Sequence, residues 1–321
     1  MTNQTLEIGG VAIAPSQKQR LEIPVAQLPT RTIISLPVVV INGQYDGPIL
    51  WLSAAIHGDE INGVEIIRQI LSKITAKYLY GAIIAVPVVN VFGFIEQSRY
   101  LPDRRDLNRS FPGSSQGSLA SRLAHLFMTQ IVNQSTHGID LHTAAKPRTN
   151  LPQIRANLLD TETYRCAQAF GAPLMIHATT RDGSLRQAAS KRGIPVLLYE
   201  AGEACRFDSE AIEIGVRGIL QVMDLLEMYT HPLTEETSSP SHSLEIEKTK
   251  WIRASRSGLL HLQVNLGDKI AKKQLLGIIT DAFGETQAKI RSPYQGVVIG
   301  QVQNPLVNQG DGIVHVALIK A

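Results

Sequence analysis

Residues 49–60 constrain the fold of this chain more than any other stretch. Eight mostly apolar residues end at His57, Glu60 follows three residues later, and apolar residues then recur at helical spacing up to residue 71. A short apolar run predicts a strand buried on both faces, as in a parallel sheet. Open α/β sheets bind their ligands at the carboxyl ends of such strands. The segment therefore predicts an α/β protein with a site at the strand-to-helix corner.

The spacing of His57 and Glu60 suits a metal ion. Imidazole and carboxylate groups three residues apart on a tight turn can reach one cation, and Zn²⁺ accepts both ligand types. Gly58 between them is expected to let the backbone bend. The same pattern also occurs where a glutamate merely complements the dipole of a helix start. The rest of the chain has to decide between these two interpretations.

Length and composition narrow the class of protein. A chain of 321 residues can bury a large core and predicts two domains, and 44% hydrophobic with 18% charged residues is typical of a soluble protein. The net charge of +3 without a Lys/Arg block argues against nucleic acid as a partner. The absence of a long apolar run or leader pattern argues against a membrane and predicts a cytoplasmic protein. The two cysteines lack metal-ligand spacing, so a metal would need histidine and carboxylate ligands.

Strand and helix patterns alternate over residues 1–230, which we predict to form one catalytic domain beginning with a β extension at residues 1–45. Pro87 is expected to mark a strand end or an edge position. The predicted strands are 20–25, 32–41, 49–56, 81–90, 138–143, 173–177 and 194–200, and the predicted helices are 61–71, 118–134, 184–191 and 209–229.

Two further strands end in groups that suit the same site. His142 lies at the end of the strand at 138–143, and Glu200 at the end of the strand at 194–200. The carboxyl ends of parallel strands meet at one edge of a sheet, so these groups are expected to converge with His57 and Glu60. Asp140 shares a strand face with His142 and is expected to accept a hydrogen bond from a ligand histidine.

The loop at residues 91–117 is long, polar and rich in Pro and Gly, which is typical of a functional loop. Four arginines and Asn108 lie within residues 99–109. Because the guanidinium fork matches a carboxylate, this segment predicts a carboxylate-binding rim. A solvated surface loop would show the same composition.

A Pro/Ser/Thr-rich segment at residues 231–243 predicts a linker. From residue 244 to 321 the pattern changes to short β segments with glycine turns, and two similar phrases occur near residues 257–268 and 294–311. This weak internal repeat predicts a small all-β C-terminal domain.

Four motifs occur in an order that resembles a known family. They are His57-Gly58-Asp59-Glu60, Asp106-Leu107-Asn108-Arg109, Asp140-Leu141-His142 and Tyr199-Glu200-Ala201-Gly202. In this order they resemble the succinylglutamate desuccinylase/aspartoacylase family of zinc carboxypeptidase-like hydrolases. The resemblance implies an α/β fold with a mixed sheet flanked by helices. Separately, the C-terminal segment resembles a biotinyl/lipoyl-like hammerhead, although residues 280–284 lack the lysine of a carrier and favour a structural or substrate-capping role.

The resemblance implies a role for each matching residue. His57, Glu60 and His142 would bind one Zn²⁺ per chain, and Glu200 would be the general base and acid. Asn108 and Arg109 would hold a substrate carboxylate. A further arginine would polarise the scissile carbonyl, for which the loop offers Arg99 and Arg105. Arg105 is preferred, which leaves Arg99 among the substrate-binding residues.

The activity implied is hydrolysis of an amide bond in a small carboxylate-bearing N-acyl amino acid or related conjugate. A metallocarboxypeptidase that acts on peptides and a non-catalytic zinc-binding scaffold remain as alternatives. The expected partner is a small-molecule carboxylate substrate, and a homo-oligomer is compatible with the sequence.

Overall fold

A computed structural model describes residues 1–229 and 243–319. Residues 231–242 of the predicted linker at 231–243 therefore lie outside the described residues. The strands are β1 Leu6–Ile8, β2 Val11–Ile13, β3 Gln17–Gln27, β4 Ile33–Asn42, β5 Tyr45–Ala54, β6 Tyr80–Val86, β7 His137–Ala144, β8 Arg148–Ala156, β9 Leu174–His177, β10 Val196–Glu203, β11 Leu244–Ile246, β12 Thr249–Arg253, β13 Gly258–Leu262, β14 Lys269–Ile270, β15 Leu275–Thr280, β16 Thr286–Arg291, β17 Gly296–Val302, β18 Leu306–Val307 and β19 Gly312–Leu318. The α-helices are α1 Asn62–Lys73, α2 Val91–Ile95, α3 Leu119–Gln130, α4 Thr161–Phe170, α5 Leu185–Ser190 and α6 Ser209–Leu225.

One large mixed sheet forms the centre of the protein. Strands β6, β5, β7 and β10 lie side by side and run parallel, and β4 and β8 flank them in antiparallel orientation. The apolar run at residues 49–56 is buried in the middle of this sheet, as predicted, because it has strand neighbours on both sides and core residues on both faces. Strand β6 ends at Val86, directly before Pro87. The predicted α/β fold with a mixed sheet is confirmed.

Helices cover both faces of the sheet. Helices α1, α4 and α6 contribute the apolar residues of one core, including Ile66, Phe170 and Ile219. Helices α3 and α5 contribute to the core on the other face, with Phe127 and Leu185. Among the described residues, no helix has the length and apolar character needed to cross a membrane.

Strand β8 is absent from the sequence-based prediction and has a large effect on the architecture. It pairs with β10 along one edge, and along its other edge it pairs with β9 and with β17. Strand β17 belongs to the C-terminal β region, by which we mean residues 243–319. The large sheet therefore continues from the N-terminal part of the chain into the C-terminal β region without a break.

The described part of the C-terminal β region consists of antiparallel strands, apart from the parallel pair of β11 and β9. Strands β12, β19 and β17 extend the large sheet, and β16, β15, β13 and β18 form a second sheet. An apolar cluster joins Leu174 and Ile176 of β9 to Ile246, Val297 and Ile299 of the C-terminal β region. The division into domains and the likeness to a hammerhead remain predictions.

Candidate metal centre and active site

The turn between β5 and α1 carries two of the predicted site residues. The backbone N–H of Glu60 donates to the carbonyl of His57 (3.0 Å), which closes the turn just before α1. The left-handed residue of this corner is Ala55, with φ of +49°, and Gly58 is not left-handed. Gly58 is needed for a different reason, because a Cβ there would lie 1.9 Å from the carbonyl carbon of Gly93. The chain therefore bends where the sequence predicted. However, position 58 needs a glycine because it packs closely against α2, and not because it is left-handed.

Glu60 lies between the two histidines. Its Oε1 is 2.7 Å from Nδ1 of His57, and its Oε2 is 2.7 Å from Nδ1 of His142. All three side chains are buried, and one donor atom from each lies within 4.8 Å of the others. The structure thus brings together the three residues predicted as metal ligands.

A carboxylate lies within hydrogen-bond distance of the second nitrogen, Nε2, of each histidine ring. Nε2 of His142 lies 2.8 Å from Asp140 Oδ2, which is the hydrogen bond expected from the sequence, and Nε2 of His57 lies 3.2 Å from Asp106 Oδ1. Ser53 in turn donates to Asp140 Oδ1 (2.8 Å). When Nε2–H donates to a carboxylate, Nδ1 keeps its lone pair for a metal.

The electrostatics of the cluster favour a positive charge at its centre. Burial lowers the pKa of His57 and of His142, but the surrounding carboxylates raise both values above normal. Burial would raise the pKa of Glu60, yet the two imidazoles hold it well below its usual range. The pKa of Asp106 is likewise lowered, against the effect of burial, by His57 and Arg99.

The donor set fits Zn²⁺. An imidazole lone pair and a carboxylate oxygen only 2.7 Å apart need a proton or a metal ion to bring them together. Two histidines and one glutamate match the ligand count of catalytic zinc sites, which keep one position open. His57, Glu60 and His142 are therefore the residues that would hold the ion.

Glu200 lies beside this cluster on the neighbouring strand. It pairs in register with His142, and directly paired residues of adjacent strands share a face of the sheet. A β-bulge follows Glu200 in β10, a feature that commonly re-aims a side chain at a site. Asn150 Nδ2 donates to Glu200 Oε1 (2.8 Å), and Arg155 Nε lies 3.7 Å from Oε2. The sequence-based prediction missed both partners because it missed β8.

The arginine loop places Arg99 at the cluster. Its guanidinium pairs with Asp106 (2.9 Å) and lies 3.5 Å from Glu60 Oε1. Arg105, the preferred choice from the sequence, has a side chain that is 63% exposed and pairs with Asp103 at 3.9 Å. The loop conformation thus turns Arg105 towards solvent and Arg99 towards the cluster, and the choice of the carbonyl-polarising arginine stays a prediction.

Asn108 and Arg109 lie in a short 3₁₀ turn at residues 107–109, next to the start of α5. Asn108 is buried, and its Oδ1 accepts from the backbone N–H of Leu185 (2.9 Å). Arg109 is exposed overall, but part of its side chain is buried, and this burial lowers the pKa of its guanidinium. Asp106 opposes the shift in pKa, whereas Arg181 and Arg99 add to it. Arg181 and Arg99 are thus close enough to act on the charge of Arg109.

The fold and the site together define an α/β protein with a His-Glu-His candidate metal centre at the carboxyl ends of its parallel strands. Residues 46–226 match the family described as Succinylglutamate desuccinylase/Aspartoacylase catalytic domain. This stretch is more than half of the chain. The chain belongs to the succinylglutamate desuccinylase/aspartoacylase family.

Individual relatives agree with this assignment. The N-alpha-acetyl-L-2,4-diaminobutyric acid deacetylase of Halomonas elongata is 27% identical over 295 residues, which cover 88% of this chain and 86% of that protein. A succinylglutamate desuccinylase/aspartoacylase from Rhodobacter sphaeroides has a similar structure, with a TM-score of 0.84, 24% identity and coverage of 94% and 96%. The product-bound ectoine utilization protein EutE (DoeB) from Ruegeria pomeroyi also has a TM-score of 0.84, with 21% identity and coverage of 99% and 100%. The similarity to these two structures supports the fold described above for this chain.

Proposed function

We propose that this protein is a zinc-dependent amidohydrolase that removes the acyl group from a small, carboxylate-bearing N-acyl amino acid. The observation that carries the proposal is the convergence of His57, Glu60 and His142, with a carboxylate behind each ring. Membership of the family supports the same reaction class.

His57, Glu60 and His142 would hold the ion. Zinc would supply Lewis acidity and lower the pKa of a water to about 7. Asp140 and Asp106 would accept from Nε2–H of the two rings, which would leave Nδ1 of each ring free to bind.

Glu200 would move the proton. One of its carboxylate oxygens would accept a proton from the attacking water, and the same group would then deliver it to the leaving amine nitrogen. Asn150 and Arg155 keep the carboxylate on the side of the sheet that carries His142. A general base placed in this way typically contributes about 10²–10⁴ in rate.

Two sets of groups would bind the substrate. Arg99, rather than Arg105, would stabilise the negative charge that develops on the scissile carbonyl, because only its guanidinium reaches the cluster. Asn108 and Arg109 would hold the substrate carboxylate, since Arg109 offers a bidentate fork beside Arg99 and Arg181. The similarity to the Halomonas elongata deacetylase makes an N-acetylated diamino acid the first substrate to test.

Metal analysis followed by a hydrolysis screen tests the proposal. We expect one zinc per chain, and we expect release of the acyl group from one or more N-acyl amino acids, with Nα-acetyl-L-2,4-diaminobutyric acid in the panel. Glu200→Gln should keep the zinc and lose turnover. Cleavage of short peptides instead would indicate a metallocarboxypeptidase, and zinc binding without hydrolysis would indicate a scaffold. A protein that binds no divalent metal, or a Glu200→Gln variant with full turnover, would refute the proposal.

A further inference from the structure

Glu200 depends on a second residue for its orientation. The end of a glutamate side chain rotates through a broad range unless a neighbour holds it. Asn150 is 7% exposed and donates through Nδ2 to Glu200 Oε1 at 2.8 Å. An ionised carboxylate only accepts hydrogen bonds, so Nδ2 is the end of the carboxamide that must face Glu200.

The side chain of Asn150 occupies space that Gly300 leaves open. On β8 it pairs directly with Gly202 of β10 on one side and with Gly300 of β17 on the other. A Cβ at Gly300 would lie 2.6 Å from Asn150 Oδ1, while its next nearest contacts, the Cβ of His315 and the carbonyl of Thr149, are at 3.3 and 3.4 Å. A side chain at position 300 would therefore collide most severely with the carboxamide of Asn150 and displace it.

The C-terminal β region is fixed to β8 at this point. The backbone N–H of Gln303 donates to the carbonyl of Pro147 (2.7 Å). The guanidinium of Arg148 lies 4.5 Å from the ring centre of Trp251, which stacks on His315 with ring centres 4.5 Å apart. Such cation–π and stacking contacts, added to the strand pairing, hold Gly300 against Asn150.

We propose that the C-terminal β region acts on the reaction through one contact, in which Gly300 gives the Asn150 carboxamide the space it needs to position Glu200. Asn150 and Gly300 are positioning residues, and the inference rests on the role proposed for Glu200. It gives the C-terminal β region a function beyond covering the sheet.

A double-mutant cycle tests this coupling. Asn150→Ala and Gly300→Ala should each lower kcat about tenfold, in the range for loss of a supporting hydrogen bond, with KM and zinc content unchanged. The double variant should be no slower than Asn150→Ala alone, because both changes remove the same contact. Asn150→Asp, which keeps the shape but not the donor, should be at least as slow as Asn150→Ala. The exposed neighbour variant Gln303→Ala is the control and should keep the wild-type kcat.

Four outcomes would overturn the inference, and the fourth depends on comparison with the Glu200→Gln variant. The first is additive losses in the double variant, and the second is near wild-type kcat for Asn150→Asp. The third needs no turnover: a crystal structure of Gly300→Ala that still has Asn150 bonded to Glu200. Full turnover in Glu200→Gln would instead refute the proposed role of Glu200. Loss of turnover in Glu200→Gln, together with unchanged kcat in Asn150→Ala and Gly300→Ala, would refute this inference alone.

Discussion

Arg99 and Arg105 lie six positions apart in one loop and have opposite surroundings. Arg99 contacts Asp106 and Glu60, whereas Arg105 is largely solvated beside Asp103. We expect Arg99→Ala to lower kcat about 10²–10³-fold, as for removal of one donor to a developing oxyanion. Arg105→Ala is the matched control and should stay within about twofold, because surface substitutions rarely cost more. Steady-state kinetics of both variants measure these changes in kcat. Equal losses of kcat in Arg99→Ala and Arg105→Ala would contradict the role proposed for Arg99.

Ser53 supports His142, a proposed metal ligand, through Asp140. It is fully buried and donates to Asp140, which in turn fixes His142. In Ser53→Ala, Asp140 Oδ1 loses this donor, and we expect zinc affinity to fall about tenfold. Competition with a chromophoric chelator measures the affinity, and Ser190→Ala, at an exposed serine, is the control. Unchanged affinity in both Ser53→Ala and Asp140→Asn would show that this chain of bonds does not position His142.

The two cysteines should differ in reactivity. Burial raises the pKa of the Cys166 thiol to about 12, with Glu162 adding to the shift, while Cys205 is partly exposed. The thiolate is the reactive form, so at pH 8 only about one Cys166 in 10⁴ is reactive. We expect the native protein to take up one equivalent of a thiol reagent and Cys205→Ser to take up none. Mass spectrometry identifies the labelled cysteine, and labelling of Cys166 in place of Cys205 would contradict the burial of Cys166.

At the scale of elements, helix α1 packs very closely beneath the candidate metal centre. A Cβ at Gly63 would lie 2.6 Å from the Cβ of Leu141 and 2.7 Å from that of Ala54. Alanine favours a helix over glycine by about 1 kcal/mol, but overpacking a core costs about 1–3 kcal/mol. We therefore expect Gly63→Ala to lower the melting temperature, whereas Ser72→Ala on the exposed side of α1 should not. A higher melting temperature for Gly63→Ala would contradict this packing.

Several elements and site residues follow from local sequence patterns. His57, His142 and Glu200 lie at or near the ends of predicted strands, and Glu60 follows three residues after His57. The carboxyl ends of neighbouring parallel strands meet at one edge of a sheet, so these positions predict a common site. Local pattern is sufficient there because each strand is buried on both faces. The order of the four motifs then added the family and, with it, the roles expected for Asn108 and Arg109.

Other features depend on information that no local pattern contains. Strand β8 has Pro152 in its middle and polar residues at Thr149 and Asn150, so it lacks both an apolar run and a clean alternation. The contact between Asn150 and Gly300 depends on strand register across 150 residues of sequence. The choice between Arg99 and Arg105 depends on a loop conformation that composition does not specify.

At the scale of the whole molecule, the shared sheet should make unfolding cooperative. Strands β8 and β17 are hydrogen bonded, and apolar residues of β9 pack against the C-terminal β region. Removing residues 230–321 would expose this apolar cluster and leave part of the edge of β8 unpaired. We expect the full chain to unfold in a single calorimetric transition and the shortened chain to aggregate or melt at lower temperature. Two separate transitions in the full chain would show that the two parts fold independently.

The pairing of β8 with β17 also has a consequence for motion. Two parts joined by a hydrogen-bonded ladder cannot swing apart as a hinged lid without breaking that ladder. We therefore expect any rearrangement that admits a substrate to be confined to the loops around the centre, above all residues 91–117. Loops move on about the nanosecond-to-microsecond timescale, whereas domain closure takes about microseconds to milliseconds. Access to this centre should accordingly be fast and local, and chemistry or product departure should set the pace of turnover.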